Sequence, residues 1–233
     1  MNTDKPNEQE SPPRSLALNV EIVAGIVAAT LRIVPHPPNF SGVGGLGIFG
    51  GARLRGWQAY LLPLGIMVAS DLALWVCTFF DPLYSLGHLS RLYVYGSFMI
   101  YVAIGRWLSN KNSIASVTFA ATLGGILFFI VTNFCDWLFQ PLQVGYEAIP
   151  APWKYSRDLD GLITCFGWAL GFYRQETPVM PHPFMVVTNF PLAMAVWTVL
   201  GDILFTTAYL LIYGKLAQRT PRNEQVPMPV TNA

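Results

Sequence analysis

LRIVPHPPNFSGVGGLGIFGGARLR, residues 31–55, is the stretch on which the fold turns. Pro35, Pro37 and Pro38 stop any helix arriving from the N-terminal side and set an extended turn. Proline has no amide donor, and it pushes the residue before it out of helical geometry. His36 and Asn39 stand beside that turn, and Gly42, Gly44, Gly45, Gly47, Gly50 and Gly51 follow. Small residues four apart, such as Gly47 and Gly51, let helices approach closely. The letters GxGGxG also occur here. No strand precedes them and no βαβ pattern surrounds them, so they do not read as a dinucleotide site. The sequence predicts instead a short apolar pass over residues 39–52, tilted little or partly irregular, and buried by its neighbours.

The flanking sequence makes such a pass intelligible. Hydrophobic residues are 53% of the 233 and charged residues 12%, about half the charged share of a soluble protein. A helix needs about 20 mostly apolar residues to cross about 30 Å of hydrocarbon. Residues 16–34, 58–80, 91–108, 114–139 and 186–215 meet or approach that length. With residues 39–52 they predict an all-α integral membrane protein, a bundle of six transmembrane helices in contact with membrane lipid. The polar, proline-containing segments 1–15 and 218–233 read as disordered cytoplasmic tails. No basic start followed at once by an apolar core marks a cleavable signal. The net charge of +1 gives no reason to expect nucleic acid as a partner.

Basic residues choose between five passes and six. With the N-terminus inside and six passes, Lys5, Arg14, Arg53, Arg55, Arg106, Lys111, Lys215, Arg219 and Arg222 are cytoplasmic. Arg32, Arg91, Lys154, Arg157 and Arg174 are outside, giving nine against five. That bias is the one expected of cytoplasmic loops. Omitting the short pass would move the tight charged pairs Arg53/Arg55 and Arg106/Lys111 outside. Both termini are therefore expected in the cytoplasm. Within the outer segment 140–185, GLITCFGWALGFY at residues 161–173 is apolar but too short to cross, and reads as a re-entrant or interfacial helix. Trp153, Tyr155, Trp168 and Tyr173 in the same segment suit the headgroup zone.

Ionisable side chains inside a pass need a partner or a water-filled cavity. Asp71 and Asp202 fall near the middle of their passes, at similar depth. Arg32 ends the first pass, and Asn133 and Asp136 lie toward the outer end of the fifth. One reading is an outward-opening polar cavity lined by Arg32, Asp71, Asn133, Asp136 and Asp202. The other is structural: Asp202 bonding a neighbouring helix, Ser70 and Asp71 capping or kinking their own. His36, His88 and His182 come from separate loops without ligand-like spacing, so a shared metal site is not expected. Cys77, Cys135 and Cys165 form no CxxC and read as packing residues. No GxSxG, HExxH or GxxxxGKS/T pattern occurs, so neither an enzyme nor a cofactor is expected. FFIVTNF at 128–134 and FMVVTNF at 184–190 match at five of seven positions. Apolar composition accounts for such an echo, and seven residues do not establish a repeat.

PHPPNF at 35–40, SDLAL at 70–74, TNFCDW at 132–137, GLITCF at 161–166 and GDILFTTAYLLIYG at 201–214 follow one another in this order. The chain resembles a family of uncharacterised bacterial inner-membrane proteins with PHPPNF and TNFxxW motifs. That family is distantly similar to the substrate-binding S components of energy-coupling-factor vitamin transporters. The resemblance covers most of residues 31–214. It implies an S-component-like bundle whose outward pocket is capped by the loop after the first helix. It places Arg32, His36, Asn39, Asn133 and Trp137 at a small-molecule site, and it sets Ala24 and Ala28 against a transporter coupling subunit that works with ATPases. It implies a binding or transport component without its own ATPase; a structural or accessory subunit of a larger membrane complex is the alternative. Residues 175–187, with Pro178, Pro181 and Pro183, depart from the family pattern by insertion.

Overall fold

The computed structural model describes residues 14–34, 36–37, 39–79, 87–109, 111, 113–142, 154–171 and 194–219. Among these the fold is all-helical, with seven α-helices and no strand. They are α1 (Arg14–Ile33), α2 (Val43–Arg53), α3 (Gln58–Cys77), α4 (Ser90–Leu108), α5 (Ile114–Phe139), α6 (Leu159–Gly171) and α7 (Met194–Arg219). A single 3-10 turn, Gln140–Leu142, extends α5. The helix α7 runs to Arg219, beyond the Lys215 expected from the sequence. Of the expected disordered tails, residues 14–15 and 218–219 are instead helical, as the ends of α1 and α7, and the remainder lies outside the described residues. So do Trp153, Tyr173, His182, the second TNF segment and the insertion at 175–187.

Among the described residues four helices, α1, α3, α5 and α7, are long and apolar enough to cross a membrane. Their outward faces are apolar: Val23 is 61% exposed and Ile26 59%. A continuous face of this kind is a liability in water and an ordinary surface in lipid. The helix α4 has the length but carries Arg91, Tyr93, Tyr95, Ser97 and Arg106. The helix α2 has the apolarity but not the length, since eleven residues rise only about 16 Å. The pass expected over residues 39–52 is therefore a turn followed by a short helix that cannot cross about 30 Å alone.

That short helix is the centre of the molecule. Every residue from Val43 to Ala52 is buried, and α1, α3, α4, α5 and α7 pack around it. A helix apolar on all sides belongs in a core, and its glycines explain how five neighbours fit. A Cβ on Gly47 would stand 2.9 Å from the Tyr101 Cβ, and one on Gly51 would stand 2.9 Å from the Val102 carbonyl carbon. From the other side, a Cβ on Gly105 would stand 2.9 Å from the carbonyl carbon of Ile48. The α2 and α4 backbones are thus in contact, with no room for a side chain between them.

The helix α6, thirteen residues long, packs on α5 and α7 and is too short to cross. Asp158 caps it, accepting from the Gly161 amide at 2.8 Å and the Ser156 hydroxyl at 2.6 Å. These two bonds, the hydroxyl's first, hold the Asp158 carboxyl below its ordinary range.

At one end of the bundle the basic residues gather. Arg53 Nη1 donates to the Ser109 carbonyl at 3.4 Å, and Arg106 Nη2 to the Gly56 carbonyl at 2.9 Å. Lys111 sits 3.3 Å over the Trp107 ring.

Candidate functional site

The polar interior is organised by α4. Tyr95 donates to Asp71 Oδ2 on α3 at 2.7 Å, Tyr93 to Asp136 Oδ1 on α5 at 2.9 Å, and Tyr101 to Asp202 Oδ2 on α7 at 2.5 Å. Each residue turns a helix by about 100°, so these three positions point in three directions. One helix thereby offers a hydroxyl to a carboxylate on each of three others. A carboxylate in a lipid-embedded bundle needs such donors, because no water replaces them.

Asp71 carries more. Its side chain is fully buried and pairs with Arg32 Nη2 from α1, while Arg91 Nε from α4 stands 3.5 Å from Oδ2. Arg32 Nη1 also donates to Ser70 Oγ at 2.8 Å and lies 3.0 Å from Met67 Sδ. Two guanidiniums thus share one carboxylate at the end of the bundle where α1 stops. His88, just before α4, has its Nδ1 2.7 Å from Ser90 Oγ. Burial first, and then the charge of Arg91, lower its pKa below the ordinary imidazole value.

Asp202 lines a cavity of about 30 Å³ together with Asn39, Ser41, Gly44, Phe98, Tyr101, Phe128 and Thr198. That is room for about one water-sized guest. The residues 39–42 between the prolines and α2 form its roof. Asn39 adopts φ 58°, a left-handed conformation that asparagine tolerates better than most residues. Its carbonyl accepts from the Ser41 amide at 2.8 Å.

The expected residues thus divide. Arg32 and Asp71 are brought together, and so are Asn39 and Asp202, but in two separate groups on α1/α3/α4 and on α2/α4/α7. Of Arg32, Asp71, Asn133, Asp136 and Asp202, only Asp202 lines this cavity. His36 Nδ1 lies 2.7 Å from the carbonyl of Val34 in its own turn. Asn133 Nδ2 donates to the Phe129 carbonyl one helical turn back at 2.7 Å. Trp137 Nε1 donates to the Ser156 carbonyl at 2.8 Å and ties α5 to the chain before α6. Ala28 is fully buried, and a Cβ on Gly42 would stand 3.3 Å from its own. Its small size serves packing of α1 on the start of α2, so it offers no surface to a partner. Ala24 is 4% exposed and lines a groove of about 360 Å³ between α1 and α7.

Sequence reasoning missed Arg91 as a partner of Asp71, the three tyrosines of α4, and Glu21. The signal was present: RLYVYGSFMIY at 91–101 sets three phenol groups in an otherwise apolar run, and Glu21 is a lone acid in the first pass.

No curated protein matches the chain, and no solved structure does. A family model does match, described as a family of unknown function (DUF6580), over residues 13–223. With the match running from the start of α1 past the end of α7, this membrane-type helical chain belongs to the family of unknown function DUF6580.

Proposed function

We propose that the chain is a small-molecule-binding component of a bacterial inner-membrane transport system, resembling an S component and lacking its own ATPase. The observation that carries this is the cavity under the α1–α2 turn. It joins a buried carboxylate, Asp202, to Asn39, Ser41 and Thr198, between the aromatic walls of Phe98, Tyr101 and Phe128. A few polar groups converging among aromatic side chains is the usual make-up of a solute site. At about 30 Å³ the resting cavity suits a guest of water size. An organic solute enters by displacing the turn, whose Asn39 is already in a strained backbone region.

The same reading keeps six passes, with both termini in the cytoplasm and the turn facing outward. The clustering of Arg53, Arg106 and Lys111 at the far end supports that orientation. On this reading α4 is a pass, and α2 completes one only together with the turn at residues 39–42. Energy would come from a coupling subunit with its ATPases. A second reading, an accessory subunit of a larger membrane complex, is favoured by the apolar groove between α1 and α7.

The test is native mass spectrometry of gently extracted protein. The expected result is a retained small molecule that is lost from Asp202→Asn and Asn39→Ala. Retention undiminished in both variants would remove the cavity from the argument. A stable heteromeric assembly with no ligand would favour the second reading.

A further inference from the structure

Glu21 sits on α1 about 16 Å along the helix from Arg32, away from the cavity under the turn. It is 1% exposed, and neither carboxyl oxygen has a hydrogen-bond partner among the described residues. Oε1 faces α2 at Gly50, where a Cβ would stand 2.7 Å away, so the glycine makes the room that the carboxyl fills. Asp71, Asp136 and Asp202 each receive a tyrosine hydroxyl; Glu21 receives none. Tyr209 of α7 is near enough to feel its charge, yet its own hydroxyl is also without a partner. The other titratable groups on the helices packed against this half of α1 are Arg53 on α2, Tyr60 on α3, and Tyr213, Lys215 and Arg219 on α7, the Arg53 guanidinium lying 5.5 Å over the Tyr213 ring. None of these bonds to Glu21 among the described residues.

An ionised carboxylate enclosed in this way, without donor or counter-ion, is not a stable arrangement. The neutral acid is the less costly form there, and release of its proton requires water or a donor to reach the carboxyl. Burial alone does not explain why an acid is kept here, since glutamine would fill the same volume. Acids within membrane-spanning helices are rare and costly, which makes Glu21 a candidate functional group. Val20 and Ala24, which flank Glu21 on α1, line the α1–α7 groove together with Tyr209. The carboxyl itself faces inward, onto α2 at Gly50, and does not line that groove.

We propose that Glu21 is a proton-binding site, a carboxyl held as the neutral acid that exchanges its proton with the medium. The site is independent of the solute cavity, and its ligand is the proton itself.

The experiment is infrared difference spectroscopy of the full chain in lipid at neutral pH. An unbonded carboxylic acid gives a carbonyl stretch above the amide band, whereas a solvated glutamate is ionised at this pH and gives none. The expected result is such a band with a component that is lost in Glu21→Gln and that shifts on transfer into heavy water. Should the variant fail to fold, the same component in the natural chain must move when glutamate is carbon-13-labelled at its side-chain carboxyl. Absence of the component, its survival in Glu21→Gln, or indifference to the glutamate label would overturn the assignment. A component that does not move in heavy water would mark a sealed structural acid and overturn the exchange.

Discussion

Asp71→Asn isolates the charge at the centre of the α1–α3–α4 cluster. The amide keeps the shape of the side chain and can still accept from Tyr95, so packing and that hydrogen bond survive. The Asp71 charge that faces Arg32 and Arg91 is lost. Breaking a buried ion pair by removing one partner costs about 3–5 kcal/mol, because the remaining charge is stranded. The two arginine side chains keep 15% and 14% of their surface, which places the effect at the lower end, about 3 kcal/mol. For a chain of this size that corresponds to a melting shift of about 6–12 °C downward. The assay is thermal unfolding in detergent followed by tryptophan fluorescence, repeated in Asp71→Asn/Arg91→Gln. Because the two guanidiniums repel once Asp71 is neutral, the double variant should recover part of the loss. A shift below about 0.5 kcal/mol in the single variant, or a double variant worse than the single, would refute this account.

Tyr101→Phe strips the donor from Asp202, which is 2% exposed; it should destabilise by about 1.5–3 kcal/mol in the same assay. Tyr93→Phe, on the half-buried Asp136, should cost about 0.6 kcal/mol, the average for interhelical bonds in membranes. Gly105→Ala forces the α2 and α4 backbones apart and should cost about 1–3 kcal/mol. Gly96→Ala on the same helix meets nothing within 4 Å and should be neutral or stabilising by up to about 1 kcal/mol. His88 has a folded pKa below its unfolded value near 6.5, so the unfolded chain binds more protons between the two. Stability should therefore fall as pH drops through about 6.5 and level off once the folded imidazole is also protonated. His88→Asn should flatten that limb of the profile.

Helix existence was legible because it rests on local composition. The run 114–139 predicts α5 to the residue, since Ser113 accepts from the Ser116 amide at 3.1 Å as an N-cap and apolarity continues unbroken to Phe139. The prolines at 35, 37 and 38 announced the turn before α2, and the glycine run announced close packing. The site was half legible: Arg32, Asn39, Asp71 and Asp202 were singled out as polar residues in an apolar setting. Asn133 and Trp137 were singled out too, but their polar atoms are satisfied locally.

What the sequence determined alone is that this chain folds as apolar helices suited to lipid, with a proline-marked break and a glycine-rich helix after it. Those properties depend on residue type and spacing, which act over one or two helical turns. Only tertiary structure decided that α2 lies at the centre, that α4 supplies a hydroxyl to three carboxylates, and that Asp71 and Asp202 belong to different groups. It alone left Glu21 without a hydrogen-bond partner among the described residues. Which side chains meet depends on the rotation and depth at which each helix packs, and that is fixed by the fit of all the helices together.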